Sequence, residues 1–280
     1  MLSVLCAVAW AAMLPSGAGN ETPALAFLTS TRVAADGRIV QQVESYVPQE
    51  GDLILFHEHV DIWDILFRVV GSGPPDHSGV MFRLPDGRLA ILEAAPENGK
   101  GGYILRVCLM EAQSRFISCK GTILIRRLRC PLTPAQSAQL TNFALAQQGK
   151  RYAVGRLLRQ FTPLKARGPK RVEMLGKTYL NRRTWICSEL VVAGYTTIGL
   201  MNPAQFPANA IYPLDLLEDT NYDLSATWYS AEIWRSRAMP TMAYGEMGSG
   251  SSERMQKSAP IASGRLQRAQ NDQSNGNEEE

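Results

Sequence analysis

The stretch Trp185-Ile186-Cys187-Ser188-Glu189-Leu190-Val191-Val192-Ala193-Gly194-Tyr195 reads as a helix with a cysteine in its first turn. Cys187, Leu190, Val191, Gly194, Tyr195 and Ile198 recur at three- and four-residue spacing, so one side of this helix faces a core and Cys187 lies on it. Thr184 is the expected N-cap and Gly199 the residue just past the helix end. At a helix N-terminus the unpaired N–H groups and the positive end of the dipole stabilise a thiolate, and the same groups can hold an oxyanion. Taken alone, Cys187 is more readily a small buried hydrophobe. A catalytic cysteine needs a base.

Working back along the chain, His77-Ser78-Gly79-Val80-Met81-Phe82-Arg83-Leu84 reads as a strand, Pro85-Asp86-Gly87 as a turn, and Arg88 to Ala94 as the returning strand. Pro, Asp and Gly in that order suit a three-residue loop, a type I turn closed by a left-handed glycine. Leu84 then lies opposite Arg88 and Gly79 opposite Glu93, which makes His77 and Glu93 diagonal neighbours on one sheet face. A two-residue Asp-Gly loop would put Glu93 on the other face. A carboxylate beside an imidazole fixes its tautomer and stabilises the imidazolium, completing a nucleophile, base and orienter set.

Further strands are expected at Leu53 to Phe56 after a Gly51-Asp52 turn, at Gly102 to Leu109 and at Gly121 to Arg129, where Ile123, Ile125 and Leu128 are interleaved with Arg126, Arg127 and Arg129. The sheet is therefore mainly antiparallel. A helix is expected over Asp61 to Val70, closed by Gly71-Ser72-Gly73-Pro74-Pro75. Another runs from Thr133-Pro134 through Gln148, with Thr as N-cap, Pro at the first helical position and Gly149 after the end. Asp223 to Trp234 reads as a final strand or packed segment, after the Leu214-Asp215-Leu216 turn. His57 and His59, two apart on a strand end, share a face as metal ligands can, but no third ligand stands at a recognisable spacing and polar residues at a strand end are the preferred reading.

Met1 to Leu14 is nearly all apolar and precedes Pro15-Ser16-Gly17-Ala18-Gly19, small residues of the kind found at a signal cleavage site. A cleaved export signal is the expectation, which would place the protein in the periplasm or cell envelope. A buried helix or a mis-called start is the alternative, with a cytoplasmic protein. Residues from about Glu21 to Glu44 read as a linker, and the polar sequence after about Met239 reads as a disordered tail. The division expected is 1–45 possible signal segment and linker, 46–238 the folded domain and 239–280 tail.

With 280 residues, 45% hydrophobic and 20% charged, the chain has ordinary globular composition. Its net charge of +3 is small, but eleven of residues 150–183 are Lys or Arg against one acid, Glu173. That block suits an anionic surface or substrate, or a solvated loop; the lack of interleaved aromatics argues against single-stranded nucleic acid. Five cysteines without a C-x-x-C pair indicate neither a disulfide framework nor a cysteine-rich zinc site. No phosphate-binding glycine loop or metal set is visible, so no cofactor is expected.

The order of these parts resembles the permuted papain-like amidases of the YiiX/YaeF kind, within the NlpC-type cysteine peptidase superfamily, over roughly Tyr46 to Trp234. The resemblance rests on the Gly51-Asp52 strand, the His77 strand, the Leu92-Glu93-Ala94 strand, Gly149-Lys150-Arg151-Tyr152, Cys187-Ser188-Glu189-Leu190-Val191 and the Pro213-Leu214-Asp215-Leu216 turn. It implies an α+β, permuted papain-like (NlpC-type) fold, with Cys187 as nucleophile, His77 as general base and acid, and Glu93 as the orienting residue. Ala153 stands where that family often has Asp, and the basic insert from Leu157 to Arg183 is longer than usual. The expected activity is cleavage of an amide in a small cell-wall peptide or lipid-linked substrate. An acyltransferase using the same thioester, or a non-catalytic peptide- or lipid-binding module, are the rivals.

Overall fold

The Pro85-Asp86-Gly87 turn closes as a three-residue loop in the structure, a computed structural model that describes residues 26–58, 73–97, 103–160, 162 and 177–236. Gly87 takes φ of 89°, its N–H bonds the Leu84 carbonyl at 2.9 Å, and Leu84 N–H bonds the Arg88 carbonyl at 2.8 Å. A positive φ there strains any residue with a Cβ, which is why glycine ends this loop. Strands β1 (Ala26–Val33), β2 (Ile39–Tyr46), β3 (Leu53–His57), β4 (His77–Arg83) and β5 (Leu89–Glu97) precede β6 (Tyr103–Glu111), β7 (Thr122–Arg126), β8 (Arg151–Tyr152), β9 (Thr184–Trp185) and β10 (Glu232–Ser236). They form one sheet in the order β2-β1-β10-β7-β3-β4-β5-β6-β8-β9. All its pairings are antiparallel except β8 with β9. The fold is α+β, and among the described residues no helix is long and apolar enough to cross a membrane.

Both faces of the central strands are buried, which explains their continuous apolar runs. Leu53, Leu55, Val80, Phe82, Leu92 and Ala94 pack with helices α2 (Pro134–Gln147) and α4 (Cys187–Thr197). Ile54, Phe56, Met81, Ile91, Ile123 and Ile125 point the other way, onto helix α1 (Ala112–Ser118) and the β1 residues Ala26 and Leu28. Two short helices, α3 (Val154–Gln160) and α5 (Pro213–Leu217), flank α4 in the sequence.

Three expectations are corrected. Residues read as a linker contain β1 and β2, paired in register from Ala26 opposite Tyr46 to Val33 opposite Ile39. Exposed apolar residues, Val33, Ile39, Val40 and Val43, broke the alternation, while Ala26, Leu28 and Tyr46 are almost wholly buried. Thr184 does not cap the cysteine helix: it lies in β9, and Ile186 takes the cap position with Glu189 reaching back to its N–H at 3.2 Å. The strand expected over Gly121 to Arg129 ends at Arg126, which alternates with the apolar residues as read but is fully buried and bonds Asp219 and the Tyr229 carbonyl. The helix expected over Asp61 to Val70, His59, the apolar N-terminal run and the polar tail lie outside the described residues.

The Thr133 helix does carry its capping box with Gln136, and Gly149 follows its end at φ of 76°. At the start of β3 the buried Asp52 carboxylate accepts from Tyr46 Oη at 2.8 Å and from Leu128 N–H at 2.9 Å. That carboxylate ties the end of β2 to the segment following β7.

Candidate active site

The pairing of β4 with β5 places Gly79 opposite Glu93, so His77 and Glu93 share a face across a residue without a side chain. A Cβ at Gly79 would lie 2.6 Å from Ile91 Cγ2 and 3.5 Å from Glu93 Cβ. Through this gap Glu93 Oε2 reaches His77 Nε2 at 2.7 Å. Both side chains are buried, at 7% exposure for His77 and 2% for Glu93. The His77 ring stacks on Phe56, its partner across β3, with centroids 5.7 Å apart.

Sequence reasoning missed the next member. Arg115, on α1, donates from Nε to Glu93 Oε1 at 2.9 Å and from Nη2 to Glu58 Oε1 at 2.8 Å, and its guanidinium lies 4.1 Å from the Phe56 ring centroid. Its only sequence signal is its spacing, three after Ala112 and next to Phe116, the two other buried residues of the helix. Burial by itself would raise the Glu93 pKa, but the bonds and charges of His77 and Arg115 outweigh it and hold the carboxyl below its ordinary value. Glu93 is thus an ionised acceptor with both oxygens engaged.

Cys187 is the first residue of α4 and His77 the first of β4, and the two side chains lie close enough there to interact electrostatically. With Nε2 donating to Glu93, Nδ1 is the ring nitrogen left for the sulfur. Burial alone would lower the His77 pKa, yet the interactions with Cys187 and Glu93 prevail and raise it to about 10. A second group sequence reasoning left unassigned is Tyr152, which lines the same pocket as Cys187 and lies near its sulfur. Burial, then the proximity of Cys187 and Glu189, pushes the phenol pKa well up, so Tyr152 remains an O–H donor. The signal for it was its place after Gly149-Lys150-Arg151.

The first turn of α4 is held from three sides. Ser188 Oγ donates to the Ile211 carbonyl at 2.7 Å, Glu189 accepts from the Ile186 N–H, and Arg156 Nη2 bonds Glu189 Oε2 at 2.7 Å. The leading N–H groups of a helix have no intrahelical acceptor and point to where an oxyanion would form beside the sulfur. A narrow apolar pocket leads to Cys187, lined by Tyr152, Leu157, Ile186, Ile211, Tyr212 and Pro213 among others.

His57 lies away from this chain of contacts, with Nδ1 3.9 Å from Asp76 Oδ2. Among the described residues no group of three or more His, Cys, Asp or Glu is placed to hold a metal ion.

No family model matches the chain, and no curated protein matches it. Among solved structures it is similar to the crystal structure of metalloprotein YiiX from Escherichia coli O157:H7 (DUF1105), at 18% identity and a TM-score of 0.37, covering 56% of this chain and 69% of that one. A TM-score that low leaves any functional reading to rest on the site's own geometry.

Proposed function

We propose that the protein is a thiol hydrolase with a permuted papain-like arrangement, cleaving an amide through an acyl-enzyme thioester. The observation that carries this reading is the buried chain of contacts from Cys187 through His77 to Glu93, with Arg115 behind it. His77, whose pKa raised to about 10 keeps it an imidazolium at neutral pH, pairs with the Cys187 sulfur, which attacks the substrate carbonyl as the thiolate and forms a C–S bond. The carbonyl π electrons move to oxygen, which the α4 N–H groups and Tyr152 stabilise. When the oxyanion collapses the C–N bond breaks, and His77 protonates the leaving amine. Water, deprotonated by His77, then attacks the thioester, the C–S bond breaks to release the acid, and the proton stays on His77 beside the sulfur. Glu93 holds the ring through Nε2 and stabilises the imidazolium without taking the proton. The narrow apolar approach suits an amide with an unbranched or small acyl group.

The test is the pH dependence of Cys187 alkylation by iodoacetamide, in wild type and in His77→Ala, with the labelled residue identified by mass spectrometry. Fast labelling well below about pH 8.5, the usual thiol value, and its loss in the variant are expected. In an amide-hydrolysis assay His77→Ala should lower turnover by about 10² to 10⁴. Labelling that tracks an ordinary thiol in both proteins would overturn the reading in favour of a binding module.

A further inference from the structure

Beside the narrow pocket a second recess of about 440 Å³ opens, lined by Arg156, Arg159, Lys177, Arg182, Arg183 and Asn209. Tyr179 and Thr184 complete the lining, so five of its eight side chains are cationic. One carboxylate answers them among the described residues: Glu189, bonded by Arg156 and 3.5 Å from Arg182 Nη1. Arg159, Lys177 and Arg183 have no acidic partner among the described residues. The Nε–H groups of Arg156 and Arg159 are moreover buried without a hydrogen-bond acceptor. A solvated basic face would leave such donors to water, whereas buried donors without acceptors carry a desolvation cost that a ligand oxygen removes.

The electrostatics agree. Burial, together with the neighbouring Arg156 and Arg159 charges, lowers the Arg182 pKa, against the pull of Glu189. Cations that repel one another this closely are stabilised by an added anion. A carboxylate presents one charge, as Glu189 already does. A phosphate brings about −1.5 to −2 and three acceptor oxygens, and guanidinium forks match it bidentately. Position links the recess to the chemistry: Asn209 lines both it and the narrow pocket that reaches Cys187.

We propose that this recess binds a phosphate-type oxyanion carried by the substrate whose acyl group is transferred to Cys187. The substrate class is therefore a phosphorylated acyl amide, with the acyl group in the apolar pocket and the phosphate beside α3. The bound anion's place in a substrate rests on the thiol-hydrolase reading; the binding itself does not.

The experiment is calorimetric titration of the full chain with inorganic phosphate, and flotation with vesicles of phosphatidic acid and phosphatidylcholine. Wild type is compared with Arg159→Gln/Lys177→Gln, which touches neither Cys187 nor Glu189, and with Cys187→Ser. Saturable phosphate binding is expected, weakened about tenfold or more in the double variant and unchanged in Cys187→Ser. If phosphate also displaces the protein from vesicles, the oxyanion is that of a lipid headgroup; if the protein ignores vesicles, it belongs to a soluble phosphate ester. Equal affinity in the double variant, no saturable binding, or vesicle binding that phosphate does not displace would overturn the proposal. Iodoacetamide labelling of Cys187, run in parallel, separates this failure from that of the hydrolase reading.

Discussion

Arg115 is the residue on which the candidate site turns, because after His77 it is the group that keeps Glu93 ionised in a place where burial opposes charge. Arg115→Met leaves a buried carboxylate with one partner fewer, and the expected cost is about 3–5 kcal/mol, read from urea midpoints. Removing the cation also lets the Glu93 pKa rise. The acid limb of the kcat/KM profile should then move to higher pH, a shift that a purely structural role for Arg115 would not produce. His77 gives the opposite signature in stability. Its pKa is raised in the folded protein from 6.5 to about 10, through its interactions with Cys187 and Glu93. Its contribution is therefore complete below about pH 6.5 and lost as pH climbs through about 10. The stability gap between wild type and His77→Phe should narrow steadily over that range; a constant gap would mean that the imidazolium is not what the fold stabilises.

Among the elements, the β4–β5 hairpin decides whether the base has an orienter. Residue chemistry at the turn was enough to set its register: a proline, an aspartate and a glycine at φ of 89° close a three-residue loop, and the loop length sets the parity of Glu93. Gly79 opens the space in which the two side chains join. Gly79→Ala puts a Cβ against Ile91 and Glu93, and the expected outcome is a loss of about 1–3 kcal/mol with slower alkylation of Cys187. Unchanged labelling in a variant of lowered stability would show that the gap matters to packing alone. The α4 start was less legible. Thr184 has the side chain of a cap, but it is drawn into β9 by pairing with Arg151, and the capping role passes to the Ile186 backbone with Glu189.

At the level of the whole molecule, β1 and β2 extend the sheet past β10 and help cover its α1 face. Leu28 is fully buried there, so Leu28→Ala should cost about 2–5 kcal/mol by thermal or urea unfolding, where a linker would show no change. A chain beginning after Tyr46 would bare the edge of β10 and part of that core, and should aggregate rather than fold.

Local chemistry, read from sequence alone, was sufficient for the parts governed by near neighbours. The hairpin register, the Thr133 capping box, the helical run after Cys187 and the pairing of His77 with Glu93 all depend on residues within a turn or a strand pair of one another. Which sheet face the pair occupies is not a local property. Alternation says only that His77 and Glu93 agree. Packing sends them to the α1 side, where Arg115 can reach Glu93 from 22 residues away, while Cys187 arrives from α4 on the other side and meets His77 at the strand end. The burial of Arg126 and the conversion of an apparent linker into two strands have the same origin. Each depends on which distant segment covers a given surface, and only the folded chain brings those segments together.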